Sequence, residues 1–179
     1  ADGGWMVDAA DDERPVVVAQ LEGGGISLLD RRSRRIEFIP LAPGEIEATL
    51  SPDGATIWSS NFQTDSVTVT SVATRTRLAS FPSGGRSPVR VLVTPDGRTA
   101  IVANGGSNHV ALFDTGNYRS TLVIPLPQAP KVLAVSADGR RLYVSHPEPG
   151  GVSLIDLVDR RLVKTVLLSG APDGVGVVR

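Results

Sequence analysis

The 179-residue chain contains no cysteine, only two histidines and one methionine, and few aromatic residues. The absence of cysteine excludes a disulfide framework, a thiolate metal site and a cysteine nucleophile. The net charge is −1, and the run Arg31–Arg35 is most simply a solvated turn. We therefore expect neither nucleic acid nor an anionic membrane as a partner. The apolar runs are too short to cross a bilayer, so we expect no membrane insertion.

A tetrapeptide recurs along the chain. Ser51-Pro52-Asp53-Gly54 returns as Thr94-Pro95-Asp96-Gly97 and as Ser136-Ala137-Asp138-Gly139, after 43 and 42 residues. In an Asp-Gly turn the aspartate caps its own backbone and the glycine takes a positive φ, which indicates a tight hairpin. Repeats of about 40–45 residues made of short strands are typical of β-propeller blades.

A second motif gives the number of repeats. Similar strand segments begin at Ile26, Val67, Val110 and Val152, and three of the four end in aspartate. We therefore expect a single all-β domain over 1–179, a β-propeller of four-stranded antiparallel blades without helices. The four repeats are expected at about 16–41, 42–84, 85–127 and 128–170.

The chain continues beyond the fourth repeat. Residues 171–179 have the pattern of an inner strand, whereas the irregular segment 1–15 offers only Trp5–Val7 for that role. We expect 171–179 to pair with the N-terminal blade and close a four-bladed ring. Two alternatives remain: two chains that form an eight-bladed ring as a homodimer, and a piece of a larger propeller. An inner strand at Trp5–Val7 would favour one of these alternatives.

Two second-strand segments carry a family resemblance. Ile101-Val102-Ala103-Asn104 and Tyr143-Val144-Ser145-His146 each follow an Asp-Gly turn and precede a Val-x-Leu-Phe/Ile-Asp strand. They resemble the YVTN-type β-propeller repeat, and the resemblance extends over nearly the whole chain from Pro15. It implies a fold and no particular activity. Members of that family are commonly seven-bladed and often exported by bacteria, so we expect a periplasmic or secreted protein.

Propellers generally place ligands where the inner strands begin, around the central channel. Arg90 and Lys131 open neighbouring inner strands and could together attract an anion; the alternative is a salt-bridged ring with Glu47 or Asp173. The only two histidines could bind a metal or haem, but surface histidines in turns are the simpler interpretation. We expect no metal and no cofactor. The candidate ligand-binding residues are Glu47, Arg90, Asn104, His109, Lys131 and His146.

Three aspartates end strands at equivalent positions of the repeat, namely Asp30, Asp114 and Asp156. They could suggest a calcium array, but we interpret them as acceptors of backbone hydrogen bonds in the following turns.

The sequence favours a binding or scaffold propeller that presents its channel face to a small ligand or a partner protein, without enzymatic activity. The alternative is a part or relative of a propeller enzyme, either a lactonase-like hydrolase or a quinone- or haem-associated oxidoreductase. The missing cysteine and scarce histidine favour binding, and we assign no catalytic residue.

Overall fold

The computed structural model describes residues 15–21, 23–172 and 174–177, together with the backbone of 4–8. It contains four four-stranded antiparallel sheets, each a meander of strands that are consecutive in the chain. This confirms the predicted all-β architecture of propeller blades. No helix in the described ranges is long and apolar enough to span a membrane.

Each blade runs from an inner strand to an outer strand. The first blade consists of β1 (Gly4–Asp8), β2 (Val16–Gln20), β3 (Gly25–Leu29) and β4 (Ile36–Pro40). The second consists of β5 (Glu45–Leu50), β6 (Thr56–Asn61), β7 (Ser66–Ser71) and β8 (Arg77–Pro82). The third consists of β9 (Pro88–Val93), β10 (Thr99–Asn104), β11 (His109–Asp114) and β12 (Ser120–Pro125). The fourth consists of β13 (Leu133–Val135), β14 (Arg141–His146), β15 (Gly151–Asp156) and β16 (Arg161–Leu167).

The Asp-Gly turns join the inner strand to the second strand in blades two to four. In the second blade, Asp53 Oδ1 accepts hydrogen bonds from the Ser51 hydroxyl at 2.5 Å and from the Ala55 amide at 3.0 Å. Gly54 has a φ of 71°, the region that favours glycine. The third and fourth blades form the same pair of bonds. The predicted hairpin chemistry is confirmed.

The aspartates at the ends of the third strands also hold turns. The Oδ1 atoms of Asp30, Asp114 and Asp156 each accept two backbone N–H bonds, at 2.7 to 3.0 Å. The interpretation of these residues as backbone acceptors is confirmed.

Three apolar cores lie between consecutive blades. Side chains alternate between the two faces of a strand, and both faces of these blades are apolar, so blades two and three each pack against a neighbour on both sides. The first core, between blades one and two, includes Val17, Ile26, Leu28, Leu50 and Ile57. The second core, between blades two and three, includes Trp58, Val67, Val69, Val91 and Phe113. The third core, between blades three and four, includes Ile101, Leu112, Ile124, Leu142 and Ile155. Among the described residues, no such core joins blade four to blade one, so the blades form a series with two end faces.

The structure corrects the expected closure of the ring. The edge of β2 is paired with β1, with Val7 opposite Val18 and Asp8 opposite Val17. The place assigned to 171–179 is therefore already occupied. Residues 174–177 belong to no strand, and a Cβ placed on Gly174 or Gly176 would meet no atom within 4 Å. The doubtful inner strand at Trp5–Val7 is present within β1.

Deletion of residues 171–179 should leave the free energy of unfolding unchanged within about 0.5 kcal/mol, because the described part of this segment adds to no sheet. Leu133→Ala is the matched control: Leu133 is 4% exposed in the third core, and its truncation should cost about 2–5 kcal/mol. Urea denaturation followed by circular dichroism measures both. A deletion as costly as the control would restore the closing-strand hypothesis.

Candidate functional site

The candidate ligand-binding residues lie at one end of the blades, which we call the channel end. It is the end where an inner strand begins and the second strand finishes: Glu45 pairs with Asn61, and Pro88 with Asn104. Inner strands of neighbouring blades contact each other, β5 with β9 and β9 with β13. The channel end therefore collects side chains from several blades.

Glu47 and Arg90 form an ion pair between blades two and three. Arg90 Nε lies 2.8 Å from Glu47 Oε1, and the Val91 amide donates to Glu47 Oε2 at 2.8 Å. The Glu47 side chain is 4% exposed and that of Arg90 is 22% exposed. Both Glu47 oxygens therefore bind the next blade, which is the salt-bridge alternative raised for these residues. The same contacts fix the position of the Arg90 guanidinium at the channel end.

In three blades the last residue of the second strand holds a loop through a side-chain hydrogen bond, and we call this position the latch. Asn61 Nδ2 donates to Pro43 O at 2.9 Å, Asn104 Nδ2 to Ser83 O at 3.0 Å, and His146 Nδ1 to Ala129 O at 3.1 Å. Each acceptor is a carbonyl in the loop that leads into the inner strand of the same blade. The side chain at this position therefore ties the loop to the sheet.

His146 is completely buried and uses both ring nitrogens. Because Nδ1 faces a carbonyl oxygen, it carries the proton, and Nε2 accepts from the Ser153 hydroxyl at 2.7 Å. The Ser153 hydroxyl in turn lies 2.7 Å from Thr165 Oγ1. The chain of hydrogen bonds is satisfied within the fourth blade, so His146 is placed as a structural residue.

Asn104 differs from its counterpart in the second blade. Asn61 Oδ1 accepts from the amides of Gln63 and Thr64 at 3.0 and 3.1 Å, whereas a 3-10 turn at Gly105–Ser107 follows Asn104. Asn104 Oδ1 is buried and accepts no hydrogen bond from the described residues. Next to it, His109 Nε2 lies 3.1 Å from Gly84 O. The loops of blade three are therefore held together by Asn104 and His109.

Lys131 lies just before the inner strand of the fourth blade. Its amide donates to Ser145 O at 2.9 Å, which fixes the backbone, and its side chain is exposed. It is one of only two lysines in the chain; the other, Lys164, lies on an outer strand. Lys131 is thus an exposed cation on a fixed backbone at the channel end.

Glu45 is a buried carboxylic acid that the sequence analysis did not select. It is 1% exposed, and Asn61 Nδ2 lies 3.5 Å from its Oε1. Burial raises the pKa of Glu45, and the neighbouring polar side chains, Asn61 among them, offset part of that effect. A break in the strand register between Glu45 and Glu47 separates the two carboxyl groups, which would otherwise point the same way. The sequence shows both acids but not the bulge.

A cavity of about 520 Å³ lies at the opposite end, between the Asp-Gly turns of blades two and three. Its lining includes Asp53, Trp58, Asp96 and Tyr118, and among the residues that the structure describes no lysine or arginine lines it. The Trp58 and Tyr118 rings meet edge to face, with centroids 5.8 Å apart. The sequence shows both aromatic residues, but their contact depends on the packing of blade two against blade three.

Comparison with known proteins supports the fold. A family model for lactonase, a seven-bladed β-propeller, matches residues 40–124, which is less than half of the chain. No curated protein matches in sequence. Among solved structures, Kuenenia stuttgartiensis hydrazine synthase superposes with a TM-score of 0.87 at 22% identity, over 93% of this chain and 49% of that one. This chain spans about half the length of that structure. The YVTN-type repeat stays a prediction.

Glu45→Gln should stabilise the protein at pH 8 and have little effect at pH 4. Because the folded-state pKa is raised, the stability that the neutral acid provides is present below the ordinary value of 4.5 and is lost as the pH rises through the folded-state pKa. Urea midpoints of the variant and the wild type at the two pH values test this. Glu148→Gln, at an exposed position, is the control. An equal difference in urea midpoint between variant and wild type at both pH values would contradict a raised pKa of Glu45.

His146→Asn should be tolerated, because asparagine fills the latch position in the second and third blades. We expect a loss of less than about 1 kcal/mol in unfolding free energy, whereas His146→Ala, which leaves a cavity and removes the latch, should cost about 2–4 kcal/mol. Urea denaturation at pH 7 compares the two variants. Equal losses would show that the hydrogen bond to Ala129 O contributes nothing.

Proposed function

We propose that the chain is a binding propeller that recognises a carboxylate-bearing small ligand at its channel end, through Arg90 and Lys131. The observation that carries the proposal is the fixed position of the Arg90 guanidinium, which Glu47 holds at the boundary of two blades. The inner strand of that blade contacts the inner strand that follows Lys131. Two cations are thus presented from neighbouring blades on rigid backbone.

Preorganisation supports recognition at this end. The channel-end loops are held by hydrogen bonds between and within blades, including Ser87 N to Asp65 Oδ1 at 2.6 Å and Lys131 N to Ser145 O at 2.9 Å. A surface whose groups are already ordered loses little conformational entropy when a ligand binds. Arginine suits a carboxylate because its planar guanidinium matches the two oxygens.

The opposite cavity is a poor site for the same ligand. Asp53 and Asp96 line it, and no described lysine or arginine does. Hydrogen bonds from the Thr94 hydroxyl and the Arg98 amide lower the pKa of Asp96, so this carboxylate is charged at neutral pH. An anion is therefore repelled there and attracted at the channel end.

A lactonase-like hydrolase is the second candidate, because the lactonase family model covers Glu47 and Arg90. Hydrolysis of a lactone adds water to the carbonyl carbon and breaks the ring C–O bond, which gives a hydroxy acid. The product carries a carboxylate, the same group that the binding proposal assigns to the ligand. The two candidates therefore share an anion site and differ in turnover.

Lys131→Met should weaken binding of a hydroxy acid such as gluconate about tenfold, since one charge-assisted hydrogen bond contributes about 1.5 kcal/mol. Isothermal titration calorimetry at low salt measures the dissociation constant. Lys164→Met removes the other lysine and should leave the constant unchanged. Raised ionic strength should weaken binding by the wild type.

The corresponding lactone separates the two candidates. Titration of released acid with glucono-δ-lactone reports hydrolysis above the spontaneous rate. Binding of gluconate without turnover supports the binding function, whereas turnover that Glu47→Gln abolishes supports the hydrolase. No binding of gluconate at millimolar concentration, or equal effects of the two lysine variants, would overturn the assignment of the anion site.

A further inference from the structure

The fourth blade has an apolar face that no other blade covers in the described part of the chain. Leu142 and Val144 point into the core with blade three, so Tyr143 between them points the other way. Tyr143 pairs with Leu154, on the same face. Val166 lies on this face too and is 46% exposed. Its apolar members are Tyr143, Val152, Leu154 and Val166, and we call these four the trailing face; Lys164, the partner of Leu154 on β16, lies beside them.

Equivalent positions in the other repeats indicate how the trailing face packs. Its four members have counterparts 42 residues earlier, and each counterpart is apolar and at most 4% exposed, because blade four covers it. These counterparts are Ile101, Val110, Leu112 and Ile124. The equivalent set in blade two includes Trp58, Val67 and Val69, which blade three covers. The trailing face is therefore a blade-to-blade interface by composition.

The first blade has the complementary face, which no described residue of another blade covers. Val17 and Ala19 point into the core with blade two, so Val16 and Val18 point away from it. Val16 pairs with Leu29, and these residues are only half-buried. On the same face Phe38 is 49% exposed. The leading face consists of Val16, Val18, Leu29 and Phe38.

We propose that two copies of this chain form an eight-bladed ring, in which the trailing face of each copy packs against the leading face of the other. The occupant is a second copy because the two faces are the two halves of one interface, which the chain already forms three times internally. The proposal is independent of the ligand.

Symmetry and curvature fit this arrangement. Each copy offers one trailing and one leading face, so a two-fold axis through the channel uses both faces of both copies and leaves none exposed. Eight blades lie within the range of known propellers. The four blades superpose over 93% of this chain on 49% of a longer chain, so the same blade arrangement occurs there within a larger structure.

Sedimentation equilibrium of the 179-residue chain at micromolar concentration measures the assembly. We expect twice the monomer mass of 18.8 kDa. Leu154→Arg on the trailing face and Val18→Asp on the leading face should each raise the dissociation constant about 100-fold or more, since each buries an unpaired charge. Leu78→Arg, at a 52% exposed position on β8, should leave the dimer intact. Circular dichroism confirms that each variant folds.

Mixing the two interface variants tests which faces meet. A dimer of one Leu154→Arg copy and one Val18→Asp copy contains one native interface and one interface in which arginine faces aspartate. The mixture should therefore dimerise although neither variant does so alone. An interface between two like faces would give no such rescue.

Several results would overturn the proposal. These are a monomer at all concentrations up to about 100 μM, an oligomer larger than two, a dimer that tolerates either charged substitution, or a mixture that stays monomeric. The first would show that blades outside this chain, or another protein, are needed to cover the faces.

Discussion

A four-stranded blade with two apolar faces cannot bury both by itself, and the rest of this structure depends on that constraint. Side chains alternate across a strand, so apolar residues at nearly every position of β10 place an interface on each side. Burial of each such side chain stabilises a domain by about 1.5–3 kcal/mol, which exceeds the net contribution of a typical single hydrogen bond. The blades therefore stack in series, and each exists only with a neighbour.

Polar residues at the channel end follow from the same stacking. Where two inner strands meet, backbone and side-chain donors must find partners, and Glu47 meets this need by accepting from both Arg90 and the Val91 amide. The latch residues do the same within a blade. The contacts that hold Arg90 and the backbone of Lys131 are therefore part of the architecture of this end. Lys131 combines a fixed backbone with an exposed side chain.

Features that depend on local chemistry were predictable from the sequence. The Asp-Gly turns, the turn-capping role of Asp30 and its equivalents, and four strands in each repeat all follow from residues adjacent in the chain. Features that depend on competition between distant segments were not. The valine-rich 171–179 is a stronger strand pattern than Gly4–Asp8, yet β1 holds the edge of β2. The separation of Glu45 from Glu47 depends on a bulge, and the cavity at Trp58 and Tyr118 on the packing of two blades.

Ring formation and ligand recognition are linked if both proposals hold. A two-fold axis along the channel repeats Lys131 and the Arg90–Glu47 ion pair, so the net positive charge of these groups at the channel end doubles. A field from several like charges around a low-dielectric opening attracts an anion more strongly than a pair does. The same charges repel each other in the absence of a ligand, which opposes closure. An anion that binds only the closed ring would therefore favour dimerisation by mass action, with a dependence on ionic strength that the apolar faces alone would not give.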